Sequence, residues 1–518
     1  MEINLIDFVL AILPILWLLL ALLSIKMEAY KATLSALIVT LFLAIIHWEM
    51  PIINLITAVL EGAIFTLWPI SLIVISAVFI YKVINLTGAI EIIKTFIGGI
   101  SLDKRILVVL IGWCFSAFME GVAGYGTAVA ISAGMLWGMG LDPILASVAC
   151  IIGNIAITPF GAISISILTT AEVTGLTADA LSLSTILQFA IPLILTPFIM
   201  VLIISKGKLK SLKGVTITIL ITAILFFTTQ LLTLKYLGTE MVGVVPPIVS
   251  LLYIVFIVKY INPKVIPKEY DVSNHISNQD LKTELPKVSI LVATLPFILI
   301  LVLFLLTSDL FPNINRMVSS IKSDLIVYTG AKPETLTFQW VNSPGILIIT
   351  ATIVGGLFQG ASIKDLGQEF LSALNQVSKT IFTLFTVIAT AKVISYSGMI
   401  GAISGMLIFV TGRLYPYIAP VIGMVGGFIT GSGTSSGILF GIMHMNAANI
   451  LGISGTNLVA ANSIGASIGK VIAPRTIMLV VSTTGLVGME SKILTKAINW
   501  ILFYIVLASI ISGAFILL

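Results

Sequence analysis

What most limits this chain is a succession of apolar runs, each close to the roughly 20 residues that one helical pass through a bilayer requires. Such runs fall at 8–25, 29–47, 63–85, 143–170, 185–205, 214–233, 242–261, 287–306, 344–360, 379–396, 455–482 and 497–517. Without water, every backbone amide must find its partner inside the protein, and a helix does this within its own segment. The chain is 58% hydrophobic and 9% charged, where a soluble domain carries roughly 25% charged residues. The fold class expected is an all-α polytopic membrane protein with about 12 transmembrane helices. The acids Glu2 and Asp7 precede the first run, and no small-residue cleavage site follows it. The run therefore reads as a membrane helix, not a removed signal.

Composition also sets aside several function classes. No basic stripe with interleaved aromatics is present, so nucleic-acid binding is not expected. His47, His275, His444, Cys114 and Cys150 are scattered, which gives no metal-ligand spacing, no disulfide framework and no expected cofactor.

Two further apolar regions, 106–140 and 414–450, are interrupted by EGVAGYGT (120–127) and TGSGTSSG (430–437). The halves on either side are about 14 residues long, too short to span. The pattern predicts two re-entrant hairpins, because irregular backbone at membrane depth survives only when buried in protein or lining a wet cavity. Charge gives a sidedness. The loop KGKLKSLK (206–213) holds four lysines and no acid, and the polar segment 262–286 holds Lys264, Lys268 and Lys282. Both belong inside by the lysine/arginine bias, and the charge-balanced segment 307–343 belongs outside. Lys104 and Arg105 then lie inside only if 106–140 does not cross. Twelve crossings of the plasma membrane put both termini outside.

The chain also repeats itself at an offset of 310. YKVINLTGAI (81–90) aligns with AKVISYSGMI (391–400), Phe118 with Phe428, Gly121 with Gly431, Ala156 with Ala466, and Gly175-Leu176 with Gly485-Leu486. Seven crossings separate the starts of the two units, so the second is expected to be inverted. Inverted repeats with broken helices at matching positions mark secondary transporters, whose substrate site lies near the midplane. The domain division that follows is 1–62 as N-terminal scaffold helices, 63–205 as repeat 1, 206–343 as central helices and loops, and 344–518 as repeat 2. The hairpins are 106–140 and 414–450, and the broken helices are 143–170 and 455–482.

Candidate site residues come from the interruptions. Small residues let the backbone unwind and approach a ligand, and half-helix N-termini carry partial positive charge. The first tip offers Gly121, Gly124, Tyr125, Gly126 and Thr127, and the second offers Gly431, Ser432, Thr434, Ser435 and Ser436. The broken helices, GNIAITPFGA (153–162) and ANSIGASIGKVIAPR (461–475), add Asn154, Asn462 and Ser463 as neutral hydrogen-bonding groups. Such a cradle suits a small carboxylate, with Lys470 or Arg475 compensating its charge. Glu120 is the candidate proton-coupling residue, since an ionisable group inside a membrane protein is expensive to keep. Each has a plainer counterpart: a static Glu120 ion pair with Lys470 or Arg475, and snorkelling for Arg475, Lys82 and Lys392. Packing roles fit Trp113, Trp137 and His444.

With these motifs the sequence resembles the L-lactate permease family, prokaryotic proton-coupled importers of 2-hydroxy monocarboxylates. The likeness rests on FMEGVAGYGTAVAI (118–131), NIAITPFGA (154–162), TGSGTSS (430–436), VAANSIGASIGKVIAPR (459–475) and TGLVGMES (484–491). The resemblance implies lactate, and often glycolate, carried with protons, and an elevator-type homodimer. Three positions depart from the family pattern. Gly433 replaces an acid, Ala128 a proline, and Ala473-Pro474-Arg475 a serine–proline–glutamine. These changes make the site more positive and leave open a di- or tricarboxylate carried with Na⁺ or H⁺. A membrane-embedded hydrolase lacks a nucleophile–base motif, so no enzyme activity is expected. A passive channel is the third class.

Overall fold

The computed structural model describes residues 5–25, 27–122, 124, 126–260, 266–273, 289–308, 310–331, 333, 335–486 and 488–517. Within them ten helices are long and apolar enough to cross a membrane, and up to thirteen spans result if each sharply bent helix pair counts as one. The chain is thus a multi-pass helical membrane protein. The run expected at 379–396 is the second half of a 35-residue helix, Ile363–Ser397. The run expected at 63–85 belongs to a longer stretch, Ile52–Leu86, with non-helical backbone at Trp68. Short helices Ala89–Gly98 and Met399–Thr411 were not anticipated. The all-α expectation also needs one correction. Lys322–Ile326 and Thr335–Gln339 form an antiparallel β-hairpin, in which Asp324 pairs with Thr337.

Both interrupted regions fold back on themselves. The first arm, Lys104–Val122, and the return arm, Thr127–Gly138, lie side by side, so that a Cβ on Gly112 would touch Leu136. In the second, Tyr415–Thr430 and Gly433–Leu451 are joined by the Ser436 hydroxyl donating to the Gly423 carbonyl at 3.1 Å. An unbroken helix would hold residues 423 and 436 about 20 Å apart. Each hairpin is followed by a broken helix. Pro143–Asn154 and Thr158–Thr174 meet at 67°, and Gly455–Lys470 and Pro474–Thr483 at 43°.

The element order after residue 72 recurs after residue 382, and its punctuation recurs with it. Gly88 and Gly398 start their helices in the left-handed region (φ 70° and 91°), and Gly175 and Gly485 end theirs there (φ 67° and 66°). An L-residue pays for that conformation and glycine does not.

The basic segments gather at one place. Arg105 pairs with Asp103 at 2.6 Å and donates to the carbonyls of Ser211 and Lys213. Lys208 reaches Glu269 at 2.9 Å, and the Val272 amide bonds the Leu102 carbonyl. Segments 101–105, 206–213 and 266–273 therefore share one face of the molecule. The Gly88 turn has neighbours of its own. Thr87 donates to Gln359, which reaches the carbonyls of Val292 and Ala293. The Gly398 turn instead adjoins the β-hairpin's connecting segment, where Tyr328 stacks on Tyr396 at 3.8 Å.

The main core is the contact region between the first hairpin and both broken helices, and it includes Trp113, Phe115, Phe160 and Ile464. Trp113 is buried and stacked on Phe226, whereas Trp137 is largely exposed. A second buried charge pair ties the long helix to Ile52–Phe65. Lys392 meets Glu61 at 2.6 Å, and the Tyr396 hydroxyl donates to the same carboxylate. The snorkelling expectation for Lys392 is corrected here: its ammonium is inside, held by an acid far away in sequence.

Candidate functional site

The site begins with close backbone approach. In the second repeat unit, Cβ atoms on Gly423, Gly427, Gly465 and Gly469 would strike backbone atoms of the facing helix. The first arm of the hairpin thus lies directly on Gly455–Lys470, as small residues permit in membrane proteins. In the first unit Gly121 is pressed against the Gly243 carbonyl and Gly243 against that of Phe160. The short segment Thr239–Gly243 is wedged between hairpin and broken helix. The break itself is strained. Ala162, Ile163 and Ser164 all have positive φ (47°, 55° and 60°), a cost of order 1–3 kcal/mol each for side-chain-bearing residues. The Ser164 hydroxyl braces it by donating to the Thr239 carbonyl at 2.7 Å.

These constraints bring both hairpin tips and both breaks to one cavity of about 80 Å³, room for a handful of waters or a molecule of similar size. Its charged lining consists of Glu120, Lys470 and Arg475. Lys470 Nζ lies 2.5 Å from Glu120 Oε1, with the carboxylate fully buried. Glu120 Oε2 has no hydrogen-bond partner among the described residues. A Cβ on Gly161 would sit 3.0 Å from Glu120 Oε1, so glycine there leaves room for the carboxylate. Arg475 is exposed and makes no ion pair among the described residues. One acid against two cations leaves a net charge of +1. The tip adds polarity of its own. Gly431 turns at φ 63°, Ser432 caps the 19-residue helix Gly433–Leu451 by accepting from the Ser435 amide, and that helix's first amides open at the cavity.

The sequence-derived residues divide cleanly. Glu120, Gly124, Gly431, Ser432, Thr434, Lys470 and Arg475 line the cavity. Gly121 packs against Gly243, and Ser436 ties the two arms of its hairpin together. Ser435 serves the cap, and Ser463 bonds back to the Val459 carbonyl. Asn154 accepts locally from Thr158. Asn462 lies 3.3 Å from His444, which is bonded to Tyr415, so the histidine is a satisfied packing residue. Gly126 caps the first return arm and faces Thr476. Tyr125 and the side chain of Thr127 lie outside the described residues. Sequence reasoning missed Thr158, Gly161, Ser166, Thr380 and Thr476, all on the cavity wall, where Gly433, noted only as a departure from the family pattern, also lies. The breaks in the two helices were the usable signal, because the first leads to Thr158, Gly161 and Ser166 and the second to Thr476.

The model of the L-lactate permease family matches residues 7–518. The chain belongs to the L-lactate permease family. Similar proteins include an L-lactate permease of Streptococcus iniae, 39% identical over 86% of this chain and 92% of its own length. An L-lactate permease of Escherichia coli (strain K12) is 28% identical over 97% of this chain and 94% of its own. Glycolate permease GlcA of the same strain is 29% identical over the same shares. The family match spans both hairpins, both broken helices and the β-hairpin segment between them. A permease of this family is a membrane transporter, and in the cavity between the tips buried charge, unpaired polarity and space coincide.

Proposed function

We propose that this permease imports L-lactate or a related small 2-hydroxy monocarboxylate such as glycolate across the plasma membrane, by proton symport. The observation that carries this reading is the charge of the cavity. With Glu120 and Lys470 neutralising each other, Arg475 is left as one uncompensated cation, which matches one carboxylate. The relatives named for lactate and glycolate point the same way.

The ion pair supplies the coupling. At rest Lys470 is occupied by Glu120. A proton on the carboxylate dissolves the pair and frees the ammonium for the substrate, so proton and anion each favour the other's binding. That reciprocity is what linkage requires of any coupled pair of ligands. In this reading the two hairpins are re-entrant, and repeats 63–205 and 344–518 are inverted, with 1–62 and 206–343 supporting them. The Gly88 and Gly398 turns on different neighbours support the inversion, and the gathering of 101–105 with 206–213 supports re-entrance of the first hairpin. The basic face is cytoplasmic and both termini are outside. An elevator motion of the hairpin region within a homodimer then carries the cavity across. The test is uptake of labelled lactate into proteoliposomes under an inward proton gradient. Accumulation abolished by a protonophore, with counterflow by unlabelled lactate retained, is the expected result. Accumulation that persists without the gradient would refute symport.

A further inference from the structure

Lys470 and Arg475 on the cavity wall can take a carboxylate, and the same wall carries a hydroxyl that the charge argument leaves unexplained. Ser166 stands on that wall, in the helix that follows the first break, and is 7% exposed. Many buried or half-buried serines and threonines in these helices spend their hydroxyl on the carbonyl one turn back, as Thr174, Thr196, Ser467 and Thr430 do. Ser166 makes no such bond, and its hydroxyl has no partner among the described residues. Directly across from it is Gly433, the first residue of the second return arm. A Cβ built on Gly433 would lie 3.1 Å from Ser166 Oγ. Gly433 has ordinary helical backbone, so conformation does not demand glycine there; what the missing side chain leaves is space beside an unspent hydroxyl.

We propose that the Ser166 hydroxyl recognises the substrate's 2-hydroxyl, with Gly433 leaving the room that group occupies, so that this pair makes the permease selective for 2-hydroxy acids over the corresponding unsubstituted acids. The inference rests on the transport reading above and sharpens it. A serine hydroxyl both donates and accepts, so it can pair with an alcohol in either sense while the cations hold the carboxylate. A site that hydrogen-bonds a substrate hydroxyl rejects an analogue without one strongly, because its own polar group is left unpaired. With the cations on the carboxylate and Ser166 on the hydroxyl of the adjacent carbon, a ligand as small as the cavity requires is held at two neighbouring points.

The experiment compares labelled lactate with labelled propionate, which differs only in lacking the hydroxyl, in proteoliposomes of the wild type, Ser166→Ala and Gly433→Ala. The wild type is expected to prefer lactate at least ten-fold in kcat/KM. Ser166→Ala should lose most of that preference by weakening lactate while propionate is unchanged. Gly433→Ala, whose methyl fills the same space without backbone strain, should independently lower lactate more than propionate. A proportional fall for both acids in both variants would assign Ser166 and Gly433 a packing role and overturn the proposal, as would a wild type indifferent to the hydroxyl. A chain that accumulates neither acid would instead refute the transport reading on which the proposal stands.

Discussion

Glu120 and Lys470 come from different repeat units and meet at 2.5 Å, so at the level of single residues the two readings of that pair can be separated. If the pair is a coupling device, Glu120→Gln abolishes proton-driven accumulation while exchange continues, because the neutral side chain mimics the protonated state. If it is a static strut, the same change leaves a buried ammonium unpaired, at a cost of about 3–5 kcal/mol, and the yield of folded protein falls instead. Uptake and exchange assays beside size-exclusion profiles distinguish these outcomes. Arg475 offers charge-assisted bonds worth about 1.5–3 kcal/mol, so Arg475→Gln should raise the KM for lactate roughly ten-fold or more with folded yield unchanged. A wild-type KM would make it a snorkelling anchor. These three charges were legible in the sequence because charge inside a membrane protein is rare enough to stand out. Ser166, Thr158 and Thr476 were not, since hydroxyls are common in apolar helices and usually bond their own backbone. Lys392 was misread because its partner Glu61 is distant in sequence, and only the fold brings them together.

Among the elements, the hairpins depend on backbone-to-backbone packing. Gly465 faces the Pro420 carbonyl and Gly469 faces that of Met424, with no room for even one methyl. Gly465→Val should therefore separate Tyr415–Thr430 from Gly455–Lys470 and destabilise the protein by about 1–3 kcal/mol or more. The measure is thermal unfolding in detergent, with Gly367→Ala as control, since a Cβ there meets open space. An unchanged melting temperature for Gly465→Val would contradict the packing described. The hairpins and broken helices were visible beforehand as small-residue interruptions in runs too long to be loops. The β-hairpin was not, although Thr335–Gln339 alternates exposed and buried residues with period two. Charge balance had marked that segment as a polar loop and hid the alternation. The short helices at 89–98 and 399–411 escaped because each is too short to register as a membrane pass.

At the scale of the whole molecule, the offset of 310 led to the expectation of two similar units, and the left-handed glycines 88/398 and 175/485 fall in its register. It could not say where the units touch, because contact between repeats is set by packing and not by periodicity. In the transport reading, two oppositely oriented hairpins bring their tips together within the bilayer around one carboxylate. An experimental structure of the protein in lipid nanodiscs with bound lactate tests it most directly. The prediction is that 106–140 and 414–450 each enter and leave on one side, and that lactate lies between Gly124 and Gly431–Thr434 with its carboxylate on Arg475 and Lys470. Either region passing straight through the membrane, or lactate bound away from both tips, would contradict it.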